Sequence, residues 1–209
     1  MKILRKMSLM VLPVILFAAV LVSCNELKNT FSSGINLTNS EEVKALNELV
    51  NKAITPDMVV NKISFSYSER NSSFSFCKDE ATITYIDPDN DKVVHGIDVN
   101  LKTGDFAQNE FMERKMKGVR GQKGVKLENF DFTKISDIVN AAIQELQKEN
   151  ISVDGIGSFS IDFNSGDPEK MKYQFDLQDK TGSQQMGRRI QYNYNEYSFT
   201  ADKDGNLKF

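Results

Sequence analysis

The chain has 209 residues, with 26 basic and 29 acidic side chains and a formal net charge of −3. Nothing in that balance offsets phosphate repulsion, so nucleic acid is not an expected partner. A single histidine, His95, excludes metal clusters built on several histidines and duplicated histidine acid–base pairs within one chain.

Lys2, Arg5 and Lys6 stand ahead of an apolar run from Met7 to Val22. That run is too short for a spanning helix, which needs about 20 residues, and suits the core of a secretory signal. It closes on Leu21-Val22-Ser23-Cys24, which resembles a bacterial lipobox. The resemblance implies a signal peptide over residues 1–23, cleavage before Cys24, acyl chains of the palmitate kind on its thiol, and acylation of the new amino group. An ordinary signal peptide with a chance cysteine is the alternative. Loss of the leader removes three basic side chains and leaves 23 against 29 acidic ones, over the 186 residues from Cys24 to Phe209. Cys77 would then be the one free thiol, so no intrachain disulfide is expected. No second apolar run reaches spanning length, so the anchor is expected to be the acyl chains, two or more of which hold stably. Asn25 rather than aspartate follows the cysteine, and no acidic run comes after it. By analogy with bacterial sorting, the expected location is the outer membrane, on its periplasmic face.

Residues 24–39 are polar, with Ser32-Ser33-Gly34, and read as a flexible tether. Thr38 and Asn39, followed by Glu41 and Glu42, give a helix start in capping-box spacing. Val43, Leu46, Leu49, Val50 and Ala53 form one apolar stripe, and Thr55-Pro56 stops it. The period then becomes two. Ile63, Phe65 and Tyr67 alternate with serines, Phe74 and Phe76 follow a turn at Arg70-Asn71-Ser72, and Thr82 to Ile86 is strand-like. Asp87-Pro88-Asp89-Asn90-Asp91 is a turn, and His95, Ile97, Val99 and Leu101 share one face of the next strand.

Residues 107–130 break the regularity, with six lysines and arginines and glycines at 118, 121 and 124, and read as a linker. A helix follows, marked by Ile135, Ile138, Val139, Ala142, Ile143 and Leu146 and capped by Asp131 or Thr133. Strands follow at Phe159 to Phe163, Met171 to Leu177 and Ile190 to Ala201, with the apolar phase slipping at Asn195-Glu196 as at a β-bulge or a register break. The expected fold is therefore α+β: two modules, 40–106 and 131–209, each a helix packed on one face of a three- to four-stranded antiparallel meander.

Each round closes on a similar turn, Val99 to Phe106 around Gly104 and Thr200 to Leu207 around Gly205. This order resembles PepSY and related β-lactamase-inhibitor-like modules over most of 38–106 and 131–209. The resemblance implies extracytoplasmic binding, in some members inhibition of a hydrolase, and no catalysis.

Several residues invite chemistry. Asp87, Asp89, Asp91 and Asp98 fall at positions one, three, five and twelve of a calcium loop. However, Lys92 stands where the loop wants glycine, and the flanks are strands, so a solvated hairpin turn is the main reading. His95 lies among apolar neighbours as a structural histidine, and Cys77 has no resolving partner. Gly155-Ile156-Gly157-Ser158 precedes a strand and is no phosphate loop. No nucleophile elbow occurs and no cofactor is implied. The basic linker is either a solvated loop or a contact for anionic headgroups or an acidic partner. Arg188, Arg189, Tyr192, Tyr194 and Tyr197 have the composition of a protein-binding surface, with an ordinary core strand as the competing reading. The functional expectation is a lipid-anchored module that binds an envelope or secreted protein or an envelope polymer. The alternative is a structural or assembly lipoprotein of the outer membrane.

Overall fold

The computed structural model describes residues 33–67, 75–112, 122–186 and 189–208. The leader, Cys24 and most of the tether, the turn at 70–72, Phe74, residues 113–121 of the basic segment and Arg188 lie outside the described residues.

Strand β1 (Ile35–Asn36) pairs antiparallel with β3 (Cys77–Lys78). Helix α1 spans Ser40–Leu49, and Asn39 caps it by accepting from the amides of Glu41 and Glu42. Strands β2 (Val59–Ser66), β4 (Glu80–Asp87), β5 (Asn90–Asn100), β6 (Phe106–Gln108) and β7 (Val125–Lys126) follow, then helix α2 (Lys134–Lys148). The chain continues with β8 (Gly155–Asp162), β9 (Lys172–Met186), β10 (Arg189–Asp202) and β11 (Leu207–Lys208).

The expectation of two helix-plus-meander modules is overturned by the sheet. Strand β2 pairs with β8, Ile63 opposite Ile161 and Phe65 opposite Phe159. One antiparallel sheet of nine strands therefore runs β11-β10-β9-β8-β2-β4-β5-β6, with β7 on the flank of β2. The molecule is mostly antiparallel β-sheet. Ser33–Phe209 forms one compact unit. The physical reason lies at the seam: two separate meanders would each leave an apolar edge strand with unpaired backbone groups, and joining β2 to β8 removes both edges. Residues ahead of α1, expected as tether, are also built in from Ser33 onward: Ile35 and Leu37 are fully buried.

One face of the sheet is an aromatic row. Phe175 stacks on Phe199 at 5.5 Å and on Phe159 at 5.4 Å, and Phe159 meets Phe65 edge-on at 5.8 Å. Phe132, just before α2, closes on Phe65 from above at 6.3 Å. The helices lie over this face. Asn47 accepts from the Phe132 amide, Asn51 bonds both ways with the Phe130 backbone, and Asn140 donates to the Thr38 carbonyl. The two closing turns need glycine, because both run at positive φ, 76° at Gly104 and 89° at Gly205. A Cβ at Gly104 would also stand 2.9 Å from Leu49 Cδ2.

The opposite face is polar. Ser64, Thr82, Ser160, Gln174 and Thr200 stand in one register across it, and Asp98 accepts from Thr82 and Asn109 there.

Candidate binding surface

Strand β8 accompanies β9 only as far as Gln178, which pairs with Gly155. Beyond that point β9 and β10 run on together to Met186 and Arg189. Eight residues of strand add a two-stranded ribbon of roughly 25 Å, and the side chains described along residues 183–185 and 190–196 are exposed. On the other side, β11 covers only Thr200 and Ala201 of β10. Among the described residues, β10 from Arg189 to Phe199 thus has a strand neighbour on one edge alone.

The register decides where each side chain points. Asn193 pairs with Gly182 and Tyr194 with Lys180, so the extra residue is Thr181, in β9. The break expected at Asn195-Glu196 is thereby corrected, since β10 is continuous and keeps strict alternation. Tyr197 and Phe199 face the core side, and Tyr197 is half-buried opposite Leu177. Ile190, Tyr192 and Tyr194 share the face of Ser198 and Thr200, with exposures of 59%, 36% and 46%. The aromatic phase changes because the strand leaves the core, not because the backbone slips.

Lys180 completes the group: its ammonium stands 3.9 Å from the centroid of the Tyr192 ring, a cation–π contact that braces the ribbon. Of the five residues expected as a binding surface, the structure brings Tyr192 and Tyr194 together and puts Tyr197 on the other face. The Arg189 backbone opens β10. Ile190 and Lys180 belong to the surface and were not singled out from sequence; the alternation Ile190-x-Tyr192-x-Tyr194 carries the signal for the first.

The other candidates sit elsewhere. His95 Nε2 lies 2.6 Å from Asp87 Oδ2, and that hydrogen bond, with backbone donors at Asp89 and Asn90, holds the Asp87 carboxyl below the usual range. Asp87, Asp89 and Asp91 line an open cleft of about 780 Å³ with Asp57, Gln122 and Ser165. Asp98 is engaged with Thr82 and Asn109, far along β5. The four aspartates do not converge, and among the described residues no group of three or more acidic, histidine or cysteine side chains is placed to hold a metal ion.

A second polar pocket of about 300 Å³ lies beside β6, with Asp79, Glu80, Asp98 and Lys102 in its lining. Lys102 bridges to the buried Asp79 at 3.1 Å. Burial, and then the charges of Asp98 and Asp79, raise the Glu80 carboxyl. Next to it Lys78 is buried and donates to the carbonyls of Ile156 at 2.6 Å and Gly157 at 3.3 Å. Desolvation lowers this amine to about 8. Its bonds fall where β8 breaks register with β9, between Ile156 and Phe159, so it acts as an internal brace. Compared with known families, curated proteins and solved structures, the chain matches none.

Proposed function

We propose that this chain is a lipid-anchored extracytoplasmic module that works by binding, and that the β9–β10 ribbon presents its aromatic face to a protein partner. One observation carries the reading: Ile190, Tyr192 and Tyr194 stand exposed and adjacent on one face of a projecting ribbon. Tyrosine supplies large contact area with few rotamers to freeze, and a neighbouring cation adds orientation, the composition of interface hot spots. The anchor rests on Leu21-Val22-Ser23-Cys24 and the charged, apolar leader ahead of it.

The test is single alanine substitution at Tyr192 and Tyr194, with the partner captured from membranes by a photocrosslinker placed at Ile190. Each substitution should weaken capture by roughly 30-fold or more, the equivalent of about 2 kcal/mol, while the urea midpoint stays put. Unchanged capture in both variants would remove the ribbon from the reading. Incorporation of labelled fatty acid that survives Cys24→Ala would remove the anchor.

A further inference from the structure

We infer that the protein met by the ribbon is itself fixed in the membrane that carries the anchor, and that a short leash from Cys24 holds the ribbon at the bilayer surface to meet it. This rests on the anchor and the binding role proposed above and adds the kind of partner.

The chain enters the fold earlier than its composition suggests. Polar residues run as far as Asn39, but Ile35 and Leu37 are fully buried and β1 is paired with β3. Only residues 25–32 separate Cys24 from Ser33. Whatever their course, they can hold Ser33 no more than about 30 Å from Cys24. A flexible chain of that length typically spans about 16 Å.

The point of entry lies at one end of the sheet. Gly34 packs so closely on the Lys78 carbonyl that a Cβ has no room there. The next residue, Asp79, donates its amide to the Ser66 carbonyl at the close of β2, and its own carbonyl accepts from the Leu101 amide just past β5. Lys78 reaches the other way, to the carbonyls of Ile156 and Gly157 at the start of β8. Strand β9 leaves from this same end: it runs from Lys172, opposite Asp162, to Gln178, opposite Gly155, and then on into the ribbon. Leash and ribbon therefore leave the fold side by side, with one lysine side chain between them. The open cleft of Asp87, Asp89 and Asp91 lies at the opposite end, where β4 turns into β5.

The two lengths match. A ribbon of roughly 25 Å starts beside a residue that stands within about 30 Å of the acyl chains. It crosses the space that the leash leaves between body and bilayer, so Ile190, Tyr192 and Tyr194 present their face close to the headgroups. A protein fixed in the same membrane is held at that height already, and sharing the layer raises its effective concentration at the ribbon. Lipid is the weaker fit. Lying in the bilayer takes a broad apolar face, whereas this stripe is three side chains on strands that otherwise expose amides at Gln184, Gln191, Asn193 and Asn195.

The test uses the full chain in native membranes, with a photocrosslinker at Ile190 or, as a control, at Asn90 on the cleft end. A Gly/Ser spacer of about 20 residues between Ser32 and Ser33 lies outside the folded body and should leave the urea midpoint unchanged. It makes the leash roughly three times as long, so capture from Ile190 should fall about five-fold. The captured polypeptide should carry a spanning segment or an acyl anchor of its own, and Asn90 should not capture it at either length. Equal capture at both lengths, equal capture from Asn90, or a captured polypeptide with no anchor overturns the inference and leaves the binding reading standing. Labelled fatty acid that survives Cys24→Ala overturns it as well, with the ribbon's role again untouched. A photolabel found only on lipid, or on nothing, overturns both.

Discussion

Phe65→Ala tests whether the nine strands act as one sheet. Phe65 sits on β2 at the seam, is 3% exposed, and touches Phe159 across the seam and Phe132 above it. Truncation removes a buried aromatic transfer term of about 2 kcal/mol. It also removes two edge-on ring contacts of about 0.5–1.5 kcal/mol each and leaves a cavity, for a total near 4 kcal/mol. That is a large part of the 5–15 kcal/mol typical of a folded domain. With a urea slope of about 2 kcal/mol/M, the midpoint should fall by about 2 M. The assay is urea unfolding followed by far-UV circular dichroism, together with amide exchange at Leu46 in α1 and Leu146 in α2. If the seam makes one cooperative unit, both helices lose the same protection and the transition stays single. Survival of α2 protection in urea that has already melted α1 would refute this, because the halves would then be separate folding units.

Two further outcomes follow from the same geometry. Lys78 holds its amine near 8 in the fold against an ordinary lysine value of 10.5, so between those limits the unfolded chain binds more protons and stability rises with pH. The gain from pH 7 to pH 10 should be roughly 2 kcal/mol, and Lys78→Met should flatten the slope; a slope unchanged in the variant would assign it to other groups. Above about pH 10 the sign reverses, because burial raises Tyr173 to about 12 and the folded state resists its ionisation. Asn39→Ala removes the acceptor of the Glu41 and Glu42 amides and should cost about 1 kcal/mol, seen as a fall in melting temperature of about 2–4 °C; no fall would mean that α1 is held by packing alone.

The local elements were legible because each carries its own period. The stripe Val43, Leu46, Leu49 is the buried face of α1, and Ile135, Ile138, Val139, Ala142, Leu146 that of α2. The alternation at Ile63 and Phe65 gives the buried face of β2. Strand neighbours were not legible. A period of two says that one face of β2 and one face of β8 are apolar, but Ile63 opposite Ile161 and Phe65 opposite Phe159 is a pairing across about 100 residues of sequence, and no local signal encodes it. The aspartate series failed as a cation site for a related reason. Spacing suited to a compact loop is drawn out along β5 at about 3.3 Å per residue, which carries Asp98 away from the turn.

The ribbon shows how one sequence signal can carry two messages. The apolar phase of β10 changes between Tyr197 and Tyr194, and within a core strand such a change requires an inserted residue. Here the insertion, Thr181, lies in the partner strand and leaves the alternation of β10 untouched. The change instead marks the point where the helix-covered face ends. Above it, Tyr197 and Phe199 follow the core; below it, Tyr194, Tyr192 and Ile190 follow the other face, where no helix of the described chain reaches. A two-stranded ribbon is marginal by itself in water, and here it has the Lys180–Tyr192 contact and its own ladder to hold it. Three large apolar side chains placed on that marginal element add nothing to the core they have left. The binding role proposed above gives these exposed side chains a surface to meet.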